Sequence, residues 1–283
     1  MILMAEFGYM HNIPQLLNDP VFLTSKISHV LNKNYSDHPY SAEADNIAVP
    51  SSVLLLLGNR LHENGFEPCL ILNKRSRKVR QPGDLCCPGG SLSPIDPFLA
   101  KLMPLPGSPV TRWSYWFRWK NTHPEEAKKL MLFLTAGLRE GFEEMRLNPL
   151  GVRFLGPLPP ERLRIFKRII YPLAVWVGGQ THFIINREVE KIVYIPLRAL
   201  LKPANYVRYR VHYTPRIKKN LNRESDDFHC FIYRNQEERE LLWGVTFRIV
   251  AAFMETIFGF VPPSLDSLRV VSRTLQESYL TGK

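Results

Sequence analysis

Cysteine is scarce in this chain, with four residues among 283. None of them stands in a Cys-x-x-Cys pair or at the spacing of a metal-ligand set. Cys86 and Cys87 are adjacent, which hardly permits a bridge between them within a regular strand. The sequence therefore predicts neither a disulfide framework nor a cysteine-based metal site. This usage is typical of a reducing compartment, and we expect a cytoplasmic protein.

Long apolar runs without charges are also missing. The longest apolar stretch, Leu241 to Val261, is interrupted by Arg248 and Glu255, which predicts an amphipathic helix and no membrane span. The first ten residues carry Glu6 and lack the basic segment of a secretory signal. We therefore expect neither a membrane span nor a secretory signal.

Positive charge is in excess. Lysine and arginine number 37 against 26 acidic residues, which gives a formal net charge of +11 and a pI near 9.6. Such a balance favours polyanionic partners, among which nucleotides, nucleic acid and acidic membrane surfaces all remain open. A hydrophobic content of 45% with 22% charged residues is typical of a globular protein.

One segment lacks acidic residues altogether between Asp96 and His123. The stretch from Pro94 to Pro124 combines prolines with clustered aromatic residues, which are Trp113, Tyr115, Trp116, Phe117 and Trp119. A long loop inside a compact domain is usually functional or disordered. We interpret this one as an insertion packed on its own domain, in preference to a platform that stacks nucleic-acid bases.

Three carboxylates lie close together on a predicted helix. Glu140 precedes Glu143 and Glu144 by three and four residues, so the three side chains share one face. Like charges repel there, and a divalent cation would reverse the sign because hard ions take oxygen ligands. The alternative is a solvated acidic surface in which Arg139 pairs with Glu143. The opposite face carries a predicted apolar stripe of Leu134, Leu138, Phe142 and Met145.

Strands on both sides of this helix predict an α/β fold with a mixed β-sheet. We expect strands at 51–58, 68–73, 171–177, 182–186, 206–213 and 228–233, a polar turn at 59–67, and a closing helix from about residue 240. Residues 1–45 form a predicted N-terminal helical extension whose helix opens at Asn18-Asp19-Pro20. Residues 46–283 are expected to form one domain, in which 97–138 cover the insertion and the start of the carboxylate helix.

The glycine turn upstream and the carboxylates together resemble the box of the Nudix hydrolases. That box runs Gly, five residues, Glu, seven residues, then Arg-Glu-U-x-Glu-Glu-x-Gly-U, where U is aliphatic. Here Gly90 is followed after five residues by Asp96, and the Arg-Glu pair begins at Arg139. The spacer holds 42 residues, 97–138, where the box has seven. Gly141 and Arg146 replace an aliphatic residue and a glycine of the box.

Further segments resemble the coenzyme A pyrophosphatase subgroup of that family. The run from Asn73 to Gly90 contains an Arg-Ser pair, a Pro-Gly pair and a Pro-Gly-Gly, with Cys87 in place of the subgroup's phenylalanine. Glu188-Val189-Glu190 and Ile195-Pro196-Leu197 are similar to another of its segments. Leu242 to Thr246 is similar to the start of its closing helix.

This resemblance implies a Nudix-type α/β/α sandwich and a set of site residues. The implied catalytic residues are Arg139, Glu140, Glu143 and Glu144. The implied ligands of Mg²⁺ or Mn²⁺ are Asp96 and the same three glutamates. The implied substrate-binding residues are Arg75, Arg80, Gly89 and Gly90, the arginines because a guanidinium matches phosphate and the glycines because they admit close backbone approach.

The resemblance also implies hydrolysis of the pyrophosphate bond in a nucleoside diphosphate derivative. The favoured substrate is coenzyme A or an acyl-coenzyme A, with adenosine 3′,5′-bisphosphate and a 4′-phosphopantetheine species as products. ADP-ribose, NADH or capped RNA stay open as substrates. The split box, with Asp96 and Arg146, also leaves open a protein that binds nucleotide or RNA without turnover. The expected partner is a nucleotide-type small molecule, nucleic acid is less favoured, and the oligomeric state is not indicated.

Overall fold

The computed structural model describes residues 13–35, 49–62, 65–163, 167–215, 223–235, 238–276 and 279. Its helices are α1 Ile13–Asn18, α2 Pro20–Tyr35, α3 Asp96–Ala100, α4 Trp116–Thr122, α5 Pro124–Met145, α6 Leu197–Leu200 and α7 Gly244–Phe258. Short 3₁₀ turns cover Pro203–Asn205 and Leu265–Ser267. None of the helices in these ranges is long and apolar enough to cross a bilayer.

Two β-sheets form the centre of the molecule. The larger has eight strands, which are β1 Val49–His62, β2 Gly65–Arg75, β3 Leu85–Cys86, β4 Gly89–Ser91, β5 Val152–Pro157, β6 Glu161–Leu163, β7 Arg168–Val177 and β8 Val189–Pro196. The smaller has β9 Tyr206–Tyr213, β10 Ser225–Asn235, β11 Glu238–Trp243 and β12 Val270–Leu275. Because β1 runs antiparallel to β2 and β4 but parallel to β7, the larger sheet is mixed. The prediction of a mixed sheet is confirmed.

Strand β1 is buried on both faces, which explains the layered architecture. Successive side chains of a strand point to opposite sides, so Leu55 and Leu57 join one core cluster while Leu54 and Leu56 join another. Helices α1, α2 and α7 cover the first side, and α4 and α5 cover the second. The result is an α/β/α arrangement, and the predicted fold class is confirmed.

Helix α2 begins where the sequence predicts a helix, and α1 precedes it without having been predicted. Asp19 accepts a hydrogen bond from the Phe22 backbone N–H at 2.9 Å, which satisfies a free donor in the first turn, and Pro20 is the first helical residue. Leu23, Ile27 and Leu31 are buried in the same core cluster as α7. The division at residue 45 stays a prediction, and residues 36–48 lie outside the described part of the chain.

The insertion packs onto its own domain, as interpreted from its composition. Trp113, Trp116 and Trp119 are all buried in the core cluster beneath α5. The Trp113 indole N–H donates to Ser28 Oγ of α2 at 3.0 Å. These three tryptophan rings are therefore part of the core, whereas Phe117 of the same cluster is 71% exposed.

Several predicted elements are wrong or displaced. Residues 182–186 do not form a strand, because Gln180 donates to the carbonyls of Arg146 and His182 and ties this segment to the end of α5. The polar turn at 59–67 is shorter, since β1 and β2 stay paired from Asn59↔Pro68 to His62↔Gly65. Glu240 lies in β11, and the closing helix starts at Gly244, whose φ of +67° makes the turn from strand to helix.

The apolar stripe predicted on α5 is correct except at Phe142. Leu134, Leu138 and Met145 are buried, whereas Phe142 is 44% exposed. The Arg146 guanidinium lies 4.8 Å from the centre of the Phe142 ring, which covers part of it in a cation–π contact. Arg146 itself ends the helix in the left-handed conformation, with φ of 54° and ψ of 37°, at the position where the box has glycine.

Candidate active site

The two glycines of the turn bring α5 against the sheet. In β4, Gly89 pairs with Val53 and Gly90 pairs with Ser52 of β1. A Cβ on Gly89 would lie 2.3 Å from the Ser52 carbonyl oxygen, and the Gly89 φ is +152°, so this position requires glycine. A Cβ on Gly90 would lie 2.5 Å from the carboxyl carbon of Glu140. The long insertion therefore leaves the carboxylate helix docked on the glycine turn.

Glu140 and Glu144 occupy successive turns of α5 and face the sheet. Glu140 fills the space left by the missing side chain of Gly90. Glu144 Oε2 accepts a hydrogen bond of 2.7 Å from the Asn73 side-chain amide on β2. Asn73 is buried, and its Oδ1 has no hydrogen-bond partner among the described residues.

Burial sets the electrostatics of these two carboxyls. Desolvation, with a contribution from the charge on Glu140, raises the pKa of Glu144 to about 8, while the Asn73 hydrogen bond and the Arg75 charge oppose that rise. Burial also raises the pKa of Glu140, against the opposing effect of Arg139. Two partly desolvated carboxylates side by side are costly to ionise, and a bound cation would remove that cost.

Arg139 is the centre of an ion-pair network behind the carboxylates. Its Nη1 donates to Glu140 Oε1 at 2.8 Å and to Glu143 Oε1 at 3.2 Å. Its Nε and Nη2 donate to the two oxygens of Asp96 at 2.7 Å and 3.3 Å. The predicted pair with Glu143 is thus one of several contacts, and Arg139 fixes the position of Glu140.

Asp96 lies buried against Arg139. Its side chain is 0% exposed, and its carboxylate accepts from the Arg139 guanidinium and from the Ser93 backbone N–H at 2.6 Å. Both oxygens are therefore already engaged on the side of Arg139. Asp96 is thus a partner of Arg139, and the ligand role that the resemblance implied for it stays a prediction.

The donor set fits a metal that is shared with a substrate. Within the ranges that the structure describes, no group of three or more His, Cys, Asp or Glu side chains is assembled around a common point. Glu140 and Glu144 supply two carboxylates, with the unpaired Asn73 Oδ1 close by, and Glu143 is 53% exposed. Mg²⁺ is usually bound through one or two carboxylates, with water and substrate phosphate completing its shell.

The two predicted phosphate-binding arginines differ in their surroundings. Arg75 lies near enough to Glu144 to lower its pKa, and its Nε donates to the Arg80 carbonyl oxygen at 2.7 Å. The Arg80 side chain is exposed, and its carbonyl serves to anchor Arg75. Of the pair, Arg75 is the one that the fold brings to the carboxylates.

Residues that support this site lie far from it along the chain and carry no signal in the sequence. Asp84, just ahead of the glycine turn, accepts from the Trp243 indole N–H at 3.1 Å and from the Tyr279 hydroxyl. The Tyr279 carbonyl also accepts from the Gln81 N–H at 2.8 Å. No spacing signal links Asp84 to partners 159 and 195 residues away. Asn73 opens the segment from Asn73 to Gly90, but nothing in the sequence indicates its contact with Glu144.

No protein-family model matches the chain, and no curated protein matches it by sequence. Among solved structures, it is similar to an Ap4A hydrolase of C. elegans in a binary complex, with 11% identity, 54% of this chain and 84% of that chain covered, and a TM-score of 0.34. It is also similar to a Nudix hydrolase from Alicyclobacillus acidocaldarius, with 15% identity and a TM-score of 0.37, and the match covers 54% of this chain and 81% of that chain. A third is the Nudix domain of Shewanella oneidensis NrtR complexed with ADP ribose, with 15% identity, 60% and 85% covered, and a TM-score of 0.33.

Proposed function

We propose that this chain is a divalent-metal-dependent hydrolase of a pyrophosphate bond in a nucleoside diphosphate derivative. The observation that carries the proposal is the pair Glu140 and Glu144, partly desolvated on one helix face and packed against the glycine turn at Gly90. On a solvated acidic surface, Glu140 would not pack against the backbone of Gly90, and Glu144 would not accept a hydrogen bond from the buried Asn73.

Each residue has a separate role in this proposal. Glu140 and Glu144 would hold Mg²⁺ or Mn²⁺, and the exposed Glu143 is available to complete the set when substrate binds. When bound, such an ion neutralises phosphate charge and lowers the pKa of a coordinated water. Arg139 holds Glu140 in place, with Asp96 as its buried partner. Arg75 would contact a substrate phosphate, because its guanidinium matches phosphate oxygens and lies near Glu144.

Coenzyme A or an acyl-coenzyme A is the proposed substrate class. Its support is the resemblance of the segment from Asn73 to Gly90, which contains Asn73 and Arg75 beside Glu144 as well as the glycine turn. The products would be adenosine 3′,5′-bisphosphate and a 4′-phosphopantetheine species. ADP-ribose, NADH and capped RNA are the competing substrates that the experiment must separate.

The test measures phosphate-product formation from coenzyme A, an acyl-coenzyme A, NADH, ADP-ribose and capped RNA, with Mg²⁺ or Mn²⁺. We expect the wild type to hydrolyse a coenzyme A species. Glu144→Gln should lower turnover by more than the roughly 10- to 100-fold that is typical of losing a supporting partner. Glu125→Gln is the matched control, because Glu125 is an exposed residue in the first turn of the same helix.

Each outcome has a definite meaning. Turnover of a different substrate, lost in Glu144→Gln, would keep the carboxylate site and reject coenzyme A. Turnover that survives Glu144→Gln and a chelator would reject the metal site. No turnover of any substrate by the wild type would reject the enzyme and favour a protein that binds nucleotide without hydrolysing it.

A further inference from the structure

A cavity of about 590 Å³ lies between α6 and the two sheets, away from the carboxylates. Strand β8 ends at Pro196, and the chain then turns through α6 and the 3₁₀ turn Pro203–Asn205. Strand β10 of the smaller sheet supplies the opposite wall. Its polar and aromatic lining includes Glu67, Arg198, Lys202, Tyr233, Arg234 and Arg269.

The charge of this cavity is strongly positive. It has four cationic side chains and one carboxylate, and that carboxylate, Glu67, is ion-paired with Arg198. Among the described residues, no ion pair joins Lys202, Arg234 or Arg269 to an acid. A concave surface lined by charges of one sign concentrates counter-ions. The positive charge of this cavity therefore favours the binding of an anion.

The shape and the side chains narrow the class of anion. The planar guanidinium groups of Arg234 and Arg269 match the oxygens of phosphate. Ile232 is buried in the cavity wall and Tyr233 is half-buried beside it, so an apolar or planar group also finds a surface there. Small-molecule sites combine an apolar wall with a few placed polar groups in this way, and 590 Å³ lies within their usual size.

The cavity is separate from the candidate active site. Glu67 stands near the start of β2 and Asn73 near its end, and six residues of strand span roughly 20 Å. Asn73 is the residue that contacts Glu144. A phosphate held by Arg75 therefore leaves this cavity open.

We propose that the cavity at Arg198, Lys202, Arg234 and Arg269 is a second binding site, for a phosphate-bearing organic anion of the nucleotide class. Binding there requires no divalent metal, because the cations of the protein supply the positive charge. The inference does not depend on the proposed hydrolase activity, since none of these residues takes part in it.

The experiment measures binding of a fluorescent ADP analogue to the full chain in the presence of a chelator. We expect Arg234→Ser/Arg269→Ser to weaken binding by about tenfold or more, because each lost guanidinium removes a charge-assisted hydrogen bond. The matched control is Arg118→Ser/Lys120→Ser, which removes the same charge from exposed positions on α4. We expect this control to change the affinity less than about twofold.

Competition and a third variant complete the test. Unlabelled ADP and pyrophosphate, added separately, distinguish recognition of the whole nucleotide from recognition of phosphate alone, and displacement by neither would overturn the inference. Equal weakening in both double variants would also overturn it, because net charge alone would then explain binding.

The third variant is Arg75→Ala. Loss of binding confined to this variant would assign binding to the carboxylate site, which would reject this cavity and leave the proposed function standing. Failure of the wild type to bind would likewise reject the cavity.

Discussion

Gly89 and Gly90 are neighbours, yet a methyl group would meet different surroundings at each. At Gly89 it would collide with the backbone of Ser52 and Val53, and φ is +152°. At Gly90 the three nearest atoms all belong to the flexible end of Glu140. We expect Gly89→Ala to lower the free energy of unfolding by about 1–3 kcal/mol or more. Gly90→Ala should change that free energy little but displace Glu140 and abolish most turnover.

Denaturant unfolding and turnover, measured side by side on both variants, check this contrast. Full turnover in Gly90→Ala would show that the position of Glu140 is not critical. Equal destabilisation by both substitutions would show that the Glu140 side chain yields to a methyl group at Gly90 no more easily than the Ser52 backbone does at Gly89.

We expect Glu144 to make the stability of the metal-free protein depend on pH. Burial raises its pKa from 4.5 to about 8, so between these values the folded state holds a proton that the unfolded state has released. The free energy of unfolding should therefore fall as pH rises from about 5 to 8. Glu144→Gln should flatten this dependence, because glutamine cannot ionise.

Unfolding curves in a chelator across that range, for wild type and variant, measure the effect. Saturating Mg²⁺ should reduce the slope in the wild type, since a bound cation replaces the proton. A wild-type curve parallel to that of Glu144→Gln would mean that this carboxyl is not the group that titrates.

The pair Asp96–Arg139 connects the first helix of the insertion, α3, to the carboxylate helix α5. Asp96→Asn would leave the Arg139 guanidinium with a weaker acceptor in a buried place. We expect a loss of about 1–3 kcal/mol in unfolding free energy, together with lower turnover as Glu140 loses its fixed partner. Asp266→Asn is the control, because Asp266 is exposed in its pair with Arg208. The same small effect of both substitutions on stability and turnover would refute this role.

Glu240 joins the two sheets of the molecule. It lies in β11 of the smaller sheet, is 4% exposed, and accepts from Lys74 of β2 at 3.2 Å and Lys191 of β8 at 2.7 Å. Without the Glu240 charge, Lys74 and Lys191 keep only their more exposed partners, Glu190 and Glu238. We expect Glu240→Gln to lower the unfolding free energy by about 1–3 kcal/mol.

Glu238→Gln is the matched control for this prediction. Glu238 also pairs with Lys191 but is 66% exposed, and exposed pairs contribute only about 0–1 kcal/mol. Thermal and denaturant unfolding of the two variants should therefore differ clearly. Identical stability would mean that the sheets are held together by their apolar contacts alone.

The carboxylate helix and the mixed α/β architecture could be read from the sequence, because helical and strand periodicity are recorded in residues close together along the chain. The α5 helix, the alternation in β1 and the aromatic content of the insertion all belong to this local kind of information. The wrong predictions, at residues 182–186 and around Glu240, lie where contacts with distant elements accompany the local conformation. Gln180 ties its segment to the Arg146 carbonyl at the end of α5, and Glu240 pairs with Lys74 and Lys191 of the other sheet.

Only the tertiary structure decided how the site is assembled. Asp96 meets Arg139 across 43 residues, and Asn73 meets Glu144 across 71. Such contacts depend on how sheets and helices pack, and no periodicity in the sequence records which distant pairs will meet. The sequence by itself therefore determined which residues carry the carboxylates on the helix. The fold determined that Glu140 and Glu144 are desolvated and that Asp96 pairs with Arg139. It also determined that a basic cavity forms where the two sheets meet.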